Sequence, residues 1–125
     1  MAKARIFCID DDTFTLDYLK DALSERYSVG TCSESNDALN RLVEFQADLV
    51  LFDLNIPVFD GTDVLNLIRT FRHTRELPVI ALTGNSDSVD LGRLAHLGIR
   101  GLLEKGGTPQ ELIVSIDTAL AKPEF

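Results

Sequence analysis

The stretch Asp48-Leu49-Val50-Leu51-Phe52-Asp53-Leu54 (DLVLFDL, 48–54) runs four apolar residues into a carboxylate, with no polar residue alternating among them. A strand with one wet face alternates apolar and polar side chains, so an unbroken run of this length predicts a strand covered on both faces. Coverage on both faces implies a parallel sheet with helices above and below, and the flanking sequence supplies the helices.

Toward the N-terminus, Ala4–Ile9 (ARIFCI) predicts a first short strand. Thr13–Arg26 follows with Leu16, Leu19 and Leu23 at helical spacing. Tyr27–Cys32 (YSVGTC) predicts a second strand, and Ser35–Phe45 a second helix with Ala38, Leu42, Val43 and Phe45 along one side. Beyond the opening stretch, Asn55–Gly61 (NIPVFDG) is a loop and Thr62–Phe71 a third helix. Leu77–Gly84 (LPVIALTG) predicts a fourth strand introduced by Pro78, and a fourth helix covers roughly 87–97. Ile99–Lys105 (IRGLLEK) is a fifth strand. Thr108–Ala121 is a fifth helix with Thr108 as N-cap, Pro109 at its first position and Glu111 three residues after the cap. Five βα units in succession predict a doubly wound five-stranded α/β sheet with helices on both faces.

With 125 residues, 45% of them hydrophobic, the chain fits one domain spanning 1–125 and leaves no room for an output domain. A formal charge of −8 argues against nucleic acid or an anionic membrane as a partner held through the general field. No apolar run is long enough to span a bilayer, and MAKARIFCID lacks a secretory apolar core, so a cytoplasmic location is expected. Cys8 and Cys32 lack zinc-ligand spacing and read as buried thiols.

In open parallel sheets the reactive groups gather outside the carboxyl ends of the strands, where the strand order reverses. The residues at those ends are Asp10, Asp11 and Asp12 after the first strand, Asp53 after the third, Thr83 after the fourth and Lys105 after the fifth. Crowded carboxylates repel unless a cation lies among them, and Mg²⁺ prefers oxygen donors of this kind. A carboxylate beside Mg²⁺ can attack phosphorus, and an ammonium and a hydroxyl could share the charge of the transferring group. His73 and His96 have no metal-spaced partners and read as solvated, while Arg69, Arg72 and Arg75 suit the C-terminal end of the third helix.

The set Ile9-Asp10-Asp11, Leu51 to Pro57 (LFDLNIP), Ile80 to Gly84 (IALTG) and Leu103-Glu104-Lys105 resembles the receiver domain of two-component response regulators along nearly the whole chain. The resemblance implies a flavodoxin-like sheet of strand order 2-1-3-4-5. It implies Asp53 as phosphoacceptor, Asp11 as a direct Mg²⁺ ligand, Asp10 as a ligand through water and the Asn55 carbonyl as a further ligand. Thr83 would bond a phosphoryl oxygen, and Lys105 would pair with the phosphoryl group. Aligning Leu19 and Leu23 with the family's first helix makes Asp10 and Asp11 the paired acids and leaves Asp12 as a solvated residue or helix cap. The expected partners are a sensor histidine kinase or histidine phosphotransfer protein, and an effector on the face of the fourth helix, fifth strand and fifth helix. A phosphorylation-dependent homodimer is a further expectation.

No conventional enzyme is implied, only self-catalysed phosphorylation and dephosphorylation, with Asn55 and Asn85 placed to influence hydrolytic water. Gly98–Ile116 (GIRGLLEKGGTPQELIVSI) resembles receivers fused to helix-turn-helix factors of the nitrate-regulator type, with Gly106 and Gly107 after the lysine where many receivers carry proline. Leu102 stands where receivers often have a switch Tyr or Phe. Two alternatives remain open at this level. A phosphatase of the haloacid dehalogenase class would use Asp10 and Asp12, but Phe14 stands in its Thr or Val place. A receiver-like module could also bind partners without phosphorylation.

Overall fold

A computed structural model describes residues 2–34, 37–54, 61–84, 91–96 and 98–121. Strands β1 (Arg5–Ile9), β2 (Ser28–Cys32), β3 (Leu49–Asp53), β4 (Val79–Thr83) and β5 (Ile99–Glu104) alternate with helices α1 (Thr13–Leu23), α2 (Ala38–Phe45), α3 (Gly61–Thr70), α4 (Leu91–His96) and α5 (Pro109–Ala121). All strand pairs are parallel, in the order β2-β1-β3-β4-β5. Every residue of β3 is buried, as its unbroken apolar run predicts.

The pleat divides the core into two layers. Ile6 and Cys8 of β1, Leu49 and Leu51 of β3, and Ile80 and Leu82 of β4 face α1 and α5, where they meet Leu16, Leu19, Leu23, Leu112 and Ile116. Phe7, Ile9, Val50 and Phe52 face the other way, onto Leu42 of α2 and Val64, Leu65 and Ile68 of α3. Side chains two residues apart share a face. Asp10 therefore continues the row of Ile6 and Cys8, and Asp53 that of Leu49 and Leu51. Ile9 lies opposite Phe52 and Asp53 opposite Leu82, so both carboxylates end on one face of neighbouring strands. Leu103 packs against the same layer, which gives Lys105 the same parity.

Local signals set the starts of α1 and α5. Asp12 caps α1 by accepting Phe14 N–H at 3.0 Å and the Thr15 hydroxyl at 2.9 Å. Thr108 Oγ1 accepts Glu111 N–H at 3.2 Å at the start of α5. α1 stops at Leu23, short of the expected Arg26, because the chain turns to feed β2 and Arg26 and Tyr27 engage Asp117 of α5. Val43, expected on the buried side of α2, is 39% exposed. It lies about 100° round the helix from Leu42, at the edge of the stripe formed by Ala38 and Leu42. Cys8 and Cys32 are buried free thiols, and burial followed by the nearby Asp10 charge pushes Cys8 up to about 12. Among the described residues, no helix is long and apolar enough to cross a membrane.

Candidate functional site

Register brings Asp10, Asp53, Thr83 and Lys105 to one rim. Asp10, Asp53 and Thr83 are each only 1% exposed. Asp10 N–H donates to Cys32 O at 3.1 Å, tying the end of β1 to β2. Lys105 N–H donates to Thr83 O at 2.8 Å, which sets the lysine beside the end of β4. The Lys105 ammonium lies 2.9 Å from Asp10 Oδ2 and 3.4 Å from Asp53 Oδ2. Gly106 follows with φ +93°, a left-handed conformation that favours glycine and turns the chain away toward α5.

The Asp10 carboxylate divides its oxygens. Oδ1 accepts Asp12 N–H at 2.9 Å. Oδ2 is buried and faces the Lys105 ammonium at ion-pair distance, but receives no hydrogen bond of ordinary geometry among the described residues. Burial is the largest influence on this acid and pushes it up to about 6, against the opposing pull of Asp12 N–H and Lys105; the nearby Asp53 charge adds to the rise. Burial also works against the charge of Lys105, but the combined attraction of Asp10 and Asp53 outweighs it and holds the ammonium above its ordinary range.

Asp11 is exposed, yet one oxygen from each of Asp10, Asp11 and Asp53 can be chosen so that all lie within 4.8 Å of one another. Oxygen-only donors and an under-satisfied buried Oδ2 suit a hard divalent cation. Asn55 and Asn85 lie outside the described residues. Asp12, whose two oxygens serve α1, takes no part in this cluster. A cavity of about 400 Å³ adjoins Lys105, walled by Phe14, Tyr18, Leu82 and Leu103. Phe14 is 84% exposed at its mouth. The sequence reading assigned this residue no place at the site, and its position in the first turn after the acids was the available signal.

Arg69 lies in the last turn of α3, as expected, and its side chain reaches beyond the helix. Its guanidinium donates to Arg75 O at 3.0 Å, Leu77 O at 2.7 Å and Gly98 O at 3.2 Å. Half-burial, then repulsion from Arg100, lowers its pKa. The planar fork can satisfy several carbonyls at once, so it joins the approach to β4 with the turn before β5. His73 and His96 are exposed, as expected.

An open parallel sheet that gathers carboxylates, a hydroxyl and an ammonium at the ends of β1, β3, β4 and β5 defines a class of α/β domain suited to handling a phosphoryl group with a hard cation. The chain belongs to the response regulator receiver domain family, whose pattern matches residues 6–117. It is thus a receiver domain of the two-component signal-transduction type.

Similar proteins include the transcriptional regulatory protein GltR of Pseudomonas aeruginosa, 31% identical over 96% of this chain and 50% of its own length. The DNA-binding response regulator MtrA of Mycobacterium tuberculosis H37Rv is 28% identical over 96% of this chain and 52% of its own. A probable cyclic di-GMP phosphodiesterase of Vibrio cholerae is 31% identical over 72% of this chain and 20% of its own. The chain therefore spans about half, or less, of these relatives. Among solved structures, a receiver domain from Clostridium thermocellum superposes with TM-score 0.82 at 31% identity, covering 94% of both chains. The chemotaxis regulator CheY4 of Vibrio cholerae shares the fold, with TM-score 0.86 at 21% identity over 94% of this chain and 99% of its own.

Proposed function

We propose that Asp53 accepts the phosphoryl group and that Asp10, Asp11, Asp53 and the Asn55 carbonyl hold Mg²⁺. The observation that carries this reading is the convergence of the three carboxylates with Lys105, whose ammonium lies within 3.4 Å of Asp53 Oδ2. A carboxylate oxygen of Asp53 would attack phosphorus as the phosphorus–nitrogen bond of a donor phosphohistidine breaks, with the electron pair leaving on the imidazole nitrogen. When bound, Mg²⁺ would neutralise charge on the phosphoryl oxygens. Lys105 would exchange its contact with Asp53 Oδ2 for a phosphoryl oxygen, and the buried Thr83 would offer its hydroxyl to another.

The donor is a sensor histidine kinase or histidine phosphotransfer protein. Output passes to an effector on the face of α4, β5 and α5, with or without a phosphorylation-dependent homodimer. Leu102, the neighbour of Ala81 in the β4–β5 ladder, cannot supply an aromatic switch, so signalling relies on Thr83 and on repacking of that face. The phosphatase alternative is disfavoured because the acid it would take from Asp12 is committed to capping α1.

The test is incubation with a small-molecule phosphodonor and Mg²⁺, read by intact mass. An adduct of one phosphoryl group on the wild type, absent from Asp53→Ala, is expected. No adduct on the wild type, or one that persists in the variant, would overturn the assignment.

A further inference from the structure

The cavity of about 400 Å³ beside Lys105 opens between α1 and the turn from β5 to α5. Its floor is apolar, formed by the buried Leu19, Leu82 and Leu112. One rim is aromatic. Phe14 and Tyr18 stand four residues apart on α1, which places them on the same side one turn apart, and they are 84% and 47% exposed. The opposite rim is acidic. Glu111, in the first turn of α5, is exposed and lines the same space. A Cβ placed on Gly107 would lie 3.1 Å from Glu111 Oε2, so the carboxylate leans back over the Gly106–Gly107 turn that edges the cavity.

These walls also decide which charge the cavity favours. Lys105 is the cation among them, and its ammonium is already held by Asp10 and Asp53, at 2.9 and 3.4 Å. An anion would have to draw Lys105 from two carboxylates and would then meet Glu104 and Glu111. A neutral apolar body would cover the leucines but make no use of the aromatic faces or of Glu111. An ammonium is attracted by both, because ring faces are electron-rich and the carboxylate carries the full opposite charge. Asp10, Asp11 and Asp53 behind Lys105, in a chain of net charge −8, add to the same field.

The volume is that of a small-molecule pocket. We propose that this cavity binds a small organic cation, an ammonium with an apolar body. The body rests on Leu19, Leu82 and Leu112, and the ammonium lies between the rings of Phe14 and Tyr18 and the Glu111 carboxylate. Binding is read on unphosphorylated protein without a phosphodonor, so it neither needs nor tests the assignment of Asp53.

The test is titration of the ¹⁵N-labelled full chain with benzyltrimethylammonium. The controls are phenylmethanesulfonate, benzyl alcohol, tetramethylammonium and a short peptide carrying Phe and Arg. Shifts at residues 14–19 and 103–112 are expected with benzyltrimethylammonium, at an affinity about tenfold above that of any control. Phe14→Leu and Tyr18→Leu keep apolar bulk but remove the ring faces, and each should weaken binding about threefold. Glu111→Gln retains a residue suited to the start of α5 and should also weaken it about threefold. Benzyl alcohol should respond to none of the three. Glu111→Gln removes only a charge from an exposed side chain, so it remains informative if a helix variant misfolds. The proposal is overturned by the absence of shifts, or by shifts confined to residues 10–12, which would mark simple attraction to the acids. It is also overturned by equal affinity for the sulfonate or the alcohol, by unchanged affinity in all three variants, or by tighter binding of the peptide, which would mark a polypeptide site.

Discussion

Burial of Asp10 makes the acidic site costly to the fold near neutral pH, and Asp10→Asn tests that cost. The folded-state pKa, about 6, lies above the usual aspartate value of about 3.9 in an unfolded chain. The native state therefore binds this proton more tightly than the unfolded state. Its contribution to stability is fully present below about pH 4 and is lost as pH rises through about 6. Two pKa units at 1.36 kcal/mol each amount to about 3 kcal/mol, an order-of-magnitude figure.

Asparagine imitates the neutral acid and keeps an oxygen for Asp12 N–H, but it turns an amide toward Lys105 at a cost that varies little with pH below the lysine's titration. The informative quantity is thus the change with pH in the stability difference between the two proteins. Urea unfolding in chelator should show Asp10→Asn gaining about 3 kcal/mol on the wild type between about pH 4 and pH 7.5, equivalent to about 10 °C in Tm. Excess Mg²⁺ should narrow the gap at the higher pH by stabilising the wild type. A difference that stays constant across this range would refute the claim that burial, rather than the Lys105 pairing, dominates this carboxylate.

Gly30→Ala should destabilise the fold by about 1–3 kcal/mol in urea unfolding, because a Cβ there would lie 2.9 Å from Phe45 ring carbons and 3.0 Å from Phe7. Asp12→Ala should cost about 1 kcal/mol of stability through loss of the α1 cap, yet leave phosphoryl incorporation measured by intact mass intact. Tyr27 is raised to about 12, first by burial and then by its hydrogen bond to Asp117, so its contribution is complete below about pH 10 and is lost as pH rises through about 12. Tyr27→Phe should cost about 1 kcal/mol at neutral pH and flatten the alkaline limb of a stability–pH profile.

The architecture was legible because β3 and β4 are apolar up to their last residues, Asp53 and Thr83, and α1 and α5 carry local start signals in Asp12 and Thr108–Glu111. The pairing of Asp10 with Lys105 was harder to read. A lone lysine after a polar glutamate is ordinarily a surface residue, and only the β4–β5 register and the pleat parity of Leu103 turn Lys105 toward the acids. Val43 misled because apolar character marks a possible core position, while burial depends on whether a neighbouring element covers that flank. Arg69 was also out of reach, since its carbonyl partners belong to segments that meet only after β4 and β5 have joined the sheet.

Three adjacent aspartates are tolerated because the backbone sends each into a different environment. Asp10 keeps the strand's alternation and enters the pocket, where one oxygen is held by Asp12 N–H and the other faces Lys105. Asp12 lies at the first non-helical position, with extended backbone angles that return its side chain to the exposed N–H groups of α1. Its negative charge there is favoured by the helix dipole, so it adds to the stability of the turn. Asp11, between them, is left on the solvent side yet within ligand distance of both buried acids. A cation approaching from water therefore meets Asp11 before the pocket. Removing Asp12's side chain would cost α1 its cap but leave its backbone N–H on Asp10 Oδ1 in place, whereas removing Asp11's would weaken the proposed cation site without touching either bond.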